Sequence, residues 1–374
     1  MNPDMMTEDA AHGAVAAYIG KESTISSTQD ILNSGAVPRL SGYMVRPGKV
    51  SDSIMGGKFT IFEKDTGKDC VYENPPLNTK DGVPLRIMVR TERISTHDIN
   101  RGVIPFKDQI LAENHNFMRR LLQSAIGTSQ FDVPGLADNA VVIAAENLKT
   151  IPVENVLRGY MAKSSTSTSL YQAYVVRGER TFAGHKLPEG LVTNGPLPYV
   201  MDTPSTKSDE HDATIDMEYL VKNKLCTPEQ YVQTRNAGIF AFGMVSQYLK
   251  ERGIIAVDTK TEHGTNRKGE IVSQDEIWTM DSSRFWLAND YKEQLEKFQR
   301  GEIKEINPKS YSKEFARGFS EGDKGYTDEQ RIQIAIRYIV GIQHLLSKPF
   351  NPDTRQRDER VISGLETVVR ELVA

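Results

Sequence analysis

Residues 256–286, AVDTKTEHGTNRKGEIVSQDEIWTMDSSRFW, carry more of this chain's chemistry than any other stretch. Asp258, Lys260 and Glu262 alternate with Val257, Thr259 and Thr261. At a strand period of two, an acid, a base and a second acid share one face. Charges crowded in this way are stable only when paired or bound to ions. A metal–nucleotide complex beside an anionic substrate would meet that demand. Glu262 and Asp275 flank a reversal between Gly264 and Gly269, so carboxylates on two neighbouring strands can converge on one ion. Mg2+ takes one or two protein carboxylates and otherwise water and phosphate oxygens. Asp281, Ser282, Ser283 and Arg284 lie just past the second strand, where a guanidinium with two hydroxyls suits a phosphate or carboxylate. The plain alternative is a solvated polar hairpin, since most surface charges are structurally idle. Three linked features in one hairpin weigh against it.

The elements that must position these residues read as α+β with mixed, largely antiparallel sheets and helices laid on them. Residues 1–40 form a helical or partly ordered extension. Strand patterns occupy Lys58–Glu63, Leu85–Arg90, Val141–Ala145 and Val153–Leu157, separated by Asn-Pro-Pro and Asp-Gly-Val-Pro breakers. Asp108–Gln123 has helical spacing, with Ile110, Leu111, Phe117, Met118, Leu121 and Leu122 as its apolar stripe. Thr227–Arg252 opens with Thr-Pro-Glu, a helix-start signal. Residues 164–169 are almost purely hydroxylic, and 184–214 read as one long irregular loop. The tail holds two further helices, near Leu287–Gln299 and Thr327–Ser347.

Bulk properties narrow the function classes. The chain has 374 residues, 38% hydrophobic and 26% charged, enough for a large core and more than one subdomain. No apolar run approaches the roughly 18 residues of a membrane span. The first residues lack a basic region followed by an apolar stretch, so no secretory signal is expected. Two cysteines, Cys70 and Cys226, provide neither a disulfide framework nor a zinc cluster, and a reducing cytoplasm is the default. A net charge of -4 argues against nucleic acid as a partner. His97, His185, His211 and His263 lack metal-ligand spacing. The phosphate-loop pattern G-x-x-x-x-G-K-[ST] is absent, which excludes that loop but not ATP binding. Oligomeric state is left open.

DTKTEHG followed by DEIWTMDSSRFW resembles the signature of the SAICAR synthetase family. IPVENVLRGYMAKS, LPEGL, DTPSTKSDEHD, RTERISTHD, GKVSD and PKSYSKEFARGF resemble further blocks of the same family, and together they cover roughly residues 42–320. The resemblance implies a small β-rich ATP-binding lobe (41–145) after the extension 1–40. A larger α+β lobe (146–374) would carry the C-terminal helices, with the active site between the lobes. It also implies a reaction in which ATP, L-aspartate and the ribonucleotide carboxylate CAIR give SAICAR, ADP and phosphate, with ATP and Mg2+ bound.

Residue by residue, the resemblance implies Glu262 and Asp275 as magnesium carboxylates. Arg158, Ser164, Ser283 and Arg284 would hold the substrate, its 5′-phosphate above all. Asp258, Lys260 and Asp281 would line the imidazole-carboxylate pocket and act in catalysis. Gly48, Lys49 and Lys107 would meet ATP. Ser205, Thr206, Lys207, His211 and Asp212 would bind aspartate or close over it. Taken singly, Arg158 also reads as a structural salt-bridge partner and Lys49 as a surface lysine. The chain departs from the family pattern at Ser51, Glu92, Asp108, Lys163, Thr261, His263 and Met280. Two rival readings are a related ATP-dependent amide ligase or kinase-like enzyme with another substrate, and an inactive nucleotide-binding homologue. The retention of Glu262, Asp275 and Arg284 argues against the inactive reading.

Overall fold

The computed structural model describes residues 4–19, 27–63, 67–97, 99–206 and 215–374. The chain divides into two compact units, one of residues 1–117, 129–148 and 316–374, the other of 118–128 and 149–315. In chain order the first unit opens with α1 (Glu8–Ile19), α2 (Thr28–Asn33), β1 (Ser51–Met55), β2 (Gly57–Glu63), β3 (Lys68–Asn74) and β4 (Leu85–Arg90). It continues through β5 (Arg93–Thr96), β6 (Ile99–Val103), most of α3 (Lys107–Leu121), whose last turn is counted with the second unit, and β7 (Val142–Glu146). The second unit holds β8 (Lys149–Tyr160), β9 (Thr181–Phe182), β10 (His185–Lys186), β11 (Pro196–Asp202) and β12 (Ser205–Thr206). Then come α4 (Met217–Lys222), α5 (Pro228–Lys250), β13 (Ile254–Thr265), β14 (Ile271–Gln274), β15 (Ser283–Leu287) and α6 (Ala288–Gln299). The chain then runs through α7 (Glu314–Arg317) to α8 (Asp328–Leu346) and α9 (Arg357–Leu372).

In the first unit, β1, β4 and β7 form an antiparallel sheet in which Ile54, Ile87 and Ala144 stand in line. Their apolar faces meet Ile31 and Leu32 of α2 and Val361, Leu365 and Val368 of α9 in one core. The hairpins β2–β3 and β5–β6 complete the unit's strands among the described residues. α9 can lie this close to β7 because its central residue is glycine. A Cβ at Gly364 would stand 2.6 Å from Val142 Cγ2 and 2.9 Å from its Cβ.

The second unit is built on two twelve-residue antiparallel strands, β8 and β13, side by side in the middle of the sheet. Each outer position is shared by two short strands: β11 and β12 along β8, β15 and β14 along β13. Helix α5 covers one face. Thr227 caps it, donating and accepting through a capping box with Gln230, and Pro228 occupies its first turn. Close contact with β8 rests on Gly238, where a Cβ would stand 2.8 Å from Leu157 Cδ1, and on Gly159, 3.1 Å from Phe242 Cζ by the same measure.

Several expectations need correction. The segment 184–214 is not one irregular loop, because Pro196–Asp202 pairs with β8 as a strand and Ser205–Thr206 extends the same edge. Three helices, not two, follow residue 287 with ten residues or more: α6, α8 and α9. Residues 316–374 do not join the larger lobe, since the apolar stripe of α9 completes the core of the first unit. The N-terminal stretch is also part of that unit. Ser27 caps α2, whose Ile31 and Leu32 are core residues, and the Gln343 side chain accepts a hydrogen bond from Met6 N at 2.8 Å.

Gly364→Ala gains roughly 1 kcal/mol of helix propensity. It must also displace a β-branched neighbour, and such overpacking costs about 1–3 kcal/mol. The expected outcome is a net loss of stability, measured as a lower urea midpoint with an unchanged denaturant slope.

Candidate active site

The charged residues of the opening hairpin share a face because three strands bring them to the same level. Asp258 of β13 stands opposite Arg158 of β8 on one side and Arg284 of β15 on the other. Arg284 donates through Nε to Asp258 Oδ1 at 2.9 Å and Oδ2 at 3.0 Å, and its Nη2 makes a shorter bond to Oδ2. Its Nη1 donates to the carbonyl of Lys163 at 2.9 Å, which draws the loop carrying Ser164 to the same end of the sheet. Arg158 donates to Asp258 at 3.4 Å and to Thr203 Oγ1 at 2.9 Å. A guanidinium has five N–H donors, so two of Arg158's go to these partners.

Burial pulls the Arg158 pKa down, Asp258 lifts it and the positive Arg284 lowers it again, leaving it at about 10. For Arg284 the cost of burial is outweighed by the charge and hydrogen bonds of Asp258, helped by Glu314, and its pKa rises. One carboxylate thus serves two guanidinium groups, and it favours one of them. An added anion would restore the balance at Arg158.

Two residues along β13, Lys260 lies opposite Val156 and donates to Glu154 Oε1 at 2.8 Å. Burial works against the ammonium, but Glu154, and after it Glu262 and Glu276, hold its pKa above the usual lysine value. The Lys260 side chain remains 47% exposed, so this is a presented cation rather than an enclosed one. Glu262 follows on the same face, in register with Glu154 and with Gln274. Asp275 comes one residue after that register, at the end of β14, with φ at 58°. The reversal between the strands is held by Asn266, whose Oδ1 accepts from Lys268 N at 3.0 Å and Glu270 N at 2.9 Å.

From Asp275 the chain crosses to β15 through a turn that lies beside Lys260, whose N–H donates to Ser282 O at 3.0 Å. Within that turn Thr279 Oγ1 accepts from Asp281 N at 3.3 Å and Ser282 N at 3.2 Å, and donates to Glu276 at 2.8 Å. Trp278 has φ at 52° and is 1% exposed, pinned against Phe242 with ring centroids 5.3 Å apart. A left-handed backbone at a bulky residue costs about 1–3 kcal/mol and persists only where surroundings impose it.

At its far end the same face turns aromatic. Tyr160 and Trp286, two residues beyond Arg158 and Arg284, pack edge to face at 5.2 Å, with Tyr291 of α6 stacked on Trp286 at 5.5 Å.

The structure thus brings together Arg158, Asp258, Lys260, Glu262 and Arg284, with Asp275, Asp281 and Ser164 on adjoining turns. Ser205 joins from β12, its hydroxyl donating to Glu154 Oε2 at 3.4 Å, and Thr206 follows it in the same short strand. Ser283 does not join. The strand period turns it to the opposite face, where its hydroxyl pairs with Thr259 Oγ1 at 2.8 Å and is 3% exposed. Lys207, His211 and Asp212 lie outside the described residues.

Gly48, Lys49 and Lys107 belong to the first unit. A Cβ at Gly48 would fall on the carbonyl oxygen of Ser51, so the turn requires glycine, and Arg93 donates to the Gly48 carbonyl at 2.9 Å. Lys107 is fully buried at the start of α3, next to Asp108, which accepts from Arg360 at 3.3 Å. A side chain with no exposed surface meets no phosphate in this arrangement, which corrects its expected place among ATP contacts.

The residue that sequence reasoning missed is Glu154. Its place two positions before Val156, on the strand face of Arg158, was the available signal. Thr203, the hydroxyl partner of Arg158, was missed because its stretch read as loop.

This sheet face carries two guanidinium groups on one shared carboxylate, a presented lysine and neighbouring carboxylates, a charge pattern that suits an anionic ligand. Residues 78–332 match the SAICAR synthetase family model, and the chain belongs to that family. A phosphoribosylaminoimidazole-succinocarboxamide synthase of Legionella pneumophila (strain Lens) is 35% identical over 79% of this chain and 94% of its own. A solved SAICAR synthase from Saccharomyces cerevisiae, complexed with SAICAR, shares the fold at a TM-score of 0.64. It is 23% identical, covering 88% of this chain and 99% of that one. A SAICAR synthetase solved in complex with ADP superimposes at 0.56, with 20% identity, over 83% of this chain and 100% of its own.

Asp258→Ala leaves Arg158 and Arg284 buried without their shared carboxylate. Breaking a buried pair in this way costs about 3–5 kcal/mol. Equilibrium urea unfolding of the variant, with a loss below about 1 kcal/mol, would contradict this reading of the triad.

Proposed function

We propose that this chain is an ATP-dependent carbon–nitrogen ligase that joins L-aspartate to the carboxylate of CAIR, giving SAICAR, ADP and phosphate in purine biosynthesis. The observation that carries the reading is the Arg158–Asp258–Arg284 level of the sheet, with Lys260 two residues away, in a chain of the SAICAR synthetase family.

The chemical problem is that a carboxylate is a poor electrophile. Transfer of the γ-phosphoryl group of ATP to a carboxylate oxygen of CAIR makes an acyl phosphate and releases ADP. The aspartate amine then attacks the acyl carbon, the C–O bond to phosphate breaks, and the amine proton is lost. Such transfers are accelerated by positioning and charge stabilisation rather than by covalent help from the protein.

Arg158 and Arg284, with Ser164 on the adjoining loop, hold the 5′-phosphate of CAIR. A planar fork suits that geometry, and Asp258 fixes both forks from between them. Lys260, presented toward solvent on Glu154, balances charge on the carboxylate as it is activated. Asp258 and Asp281 line the imidazole side. Gly48 and Lys49 serve the ATP phosphates, Gly48 because its turn admits no side chain and lets backbone approach closely. Ser205 and Thr206, leading into Lys207, His211 and Asp212, form the aspartate side.

Glu262 and Asp275 fit Mg2+. Glu262 stands in register with Gln274, so Asp275, the next residue, lies beside it on the neighbouring strand, and two carboxylates completed by phosphate oxygens and water are what this ion takes. When bound, Mg2+ would neutralise charge on the ATP phosphates. Cytoplasmic location is part of the same proposal, and among the described residues no helix is long and apolar enough to cross a membrane.

A coupled assay of ADP release with CAIR, aspartate and Mg2+ tests the reading. Aspartate-dependent turnover is expected. Turnover only with another amine would favour a related ligase, and nucleotide binding without turnover an inactive homologue. Two variants test the assignments. Asp275→Asn should abolish Mg2+-dependent turnover while the fold stays intact by circular dichroism, and near-native activity would remove the metal assignment. Arg284→Ala should chiefly raise the KM for CAIR, and an unchanged KM would remove the phosphate assignment.

A further inference from the structure

A second polar cluster lies at the end of β11. His185 Nε2 stands 2.7 Å from the Asp202 carbonyl oxygen and 3.2 Å from its Oδ1, while Nδ1 stands 3.1 Å from Tyr199 OH. Tyr231 of α5 donates a short hydrogen bond to the other carboxylate oxygen of Asp202. The His185 and Asp202 side chains are each 18% exposed, and Tyr231 is 5% exposed. The cluster thus ties β10, β11 and α5 together at one residue.

The residues just beyond Asp202 connect this cluster to the active site. Thr203 donates its N–H to Val156 O at 2.8 Å and accepts from Arg158, and Ser205 donates to Glu154, the partner of Lys260. The hydroxyls that steady the cation-bearing strands of the active site are therefore one and three residues from the carboxylate that His185 grips.

We propose that His185 is a positioning residue: as an imidazolium it clamps Asp202 and sets Thr203 and Ser205 so that Arg158 and Lys260 receive CAIR. The inference rests on the site assignment above, because it acts through Arg158 and Glu154. The groups facing His185 among the described residues are Asp202 and Tyr199 of β11 and Tyr231 and Arg235 of α5. Hydrogen bonding to Asp202 raises the His185 pKa above the ordinary histidine value, against burial and the charge of Arg235. A raised pKa means that the imidazolium, and with it the charge-assisted clamp, is in place at low pH and is lost as pH rises through that value.

The test is the pH dependence of KM against kcat. In the native enzyme KM for CAIR should rise roughly threefold or more on the alkaline side of the His185 titration with kcat little changed, a fraction of what one charge-assisted hydrogen bond contributes. His185→Gln keeps a neutral donor and should lose this inflection. Arg235→Gln keeps the histidine and removes an opposing charge, so the inflection should move to higher pH. A native KM that is flat with pH, the same alkaline rise in His185→Gln, or an unmoved inflection in Arg235→Gln would each overturn the proposal. Should the native chain show no CAIR-dependent turnover at any pH, it is the functional reading that fails. The clamp is then judged by NMR: the Thr203 and Ser205 amides should titrate with the His185 ring, and amides indifferent to it would overturn the clamp.

Discussion

One carboxylate shared by two guanidinium groups organises the second unit. Asp258 can hold Arg158 and Arg284 at once because its strand is central, with β8 on one side and β15 on the other. The arrangement removes three charged groups from most of their water, and such burial is tolerable only with near-complete pairing. The pairing is uneven, with Arg284 gripped through two nitrogens and Arg158 through one. That inequality leaves Arg158 the weaker-held cation, and burial, with the charge of Arg284, pulls its pKa down to about 10. A bound phosphate would serve it best.

The sheet behind this level is shaped to keep it rigid. The face opposite the charges carries Thr259, Thr261 and His263, all buried. His263 Nδ1 accepts from the Asn155 side-chain amide at 3.0 Å, and burial pushes its pKa down to about 4. A neutral, buried imidazole on the back of the sheet is a packing group and not a ligand. The first unit solves a similar problem without opening a face. Arg360 meets Asp108 at 3.3 Å and Glu92 at 3.4 Å and also donates to Tyr18, all within its interior. There burial, with the charge of Asp108, pushes Glu92 up to about 8 despite Arg360. In this unit the ions are held by each other and by packing.

The period of two made the charged face legible in the sequence. Asp258, Lys260 and Glu262 could be assigned to one side from spacing alone, and Arg158 and Arg284 by resemblance. Spacing also places Ser283 on the wrong side for a substrate contact, since its neighbour Arg284 faces the charges. What spacing cannot give is which strands lie beside β13. Glu154 gains its partner Lys260 once β8 is seen beside β13, and Thr203 its partner Arg158 once β11 is seen beside β8. The prolines and glycines of 184–214 hid that second pairing, because β11 has a register shift between Pro196 and Met201 and pairs with β8 only in part. Helix α9 was hidden for a different reason: its glycine, which weakens the local helical signal, is the residue that lets it reach Val142.

Four of the expected departures from the family pattern, Lys163, Thr261, His263 and Met280, lie in the second unit. Thr261 and His263 lie on the buried side of β13, so changing them alters contacts with α5 and β8 and leaves the charged side intact. Lys163 contributes its backbone carbonyl to Arg284, and any residue supplies that. Met280 is fully buried in the turn between β14 and β15, a turn whose shape is set by hydroxyl hydrogen bonds from Thr279 and Ser282. A sheet whose two faces carry separate duties can drift on one while the other is retained. This explains how a chain can differ at residues adjacent to its most charged positions and still present the same charges.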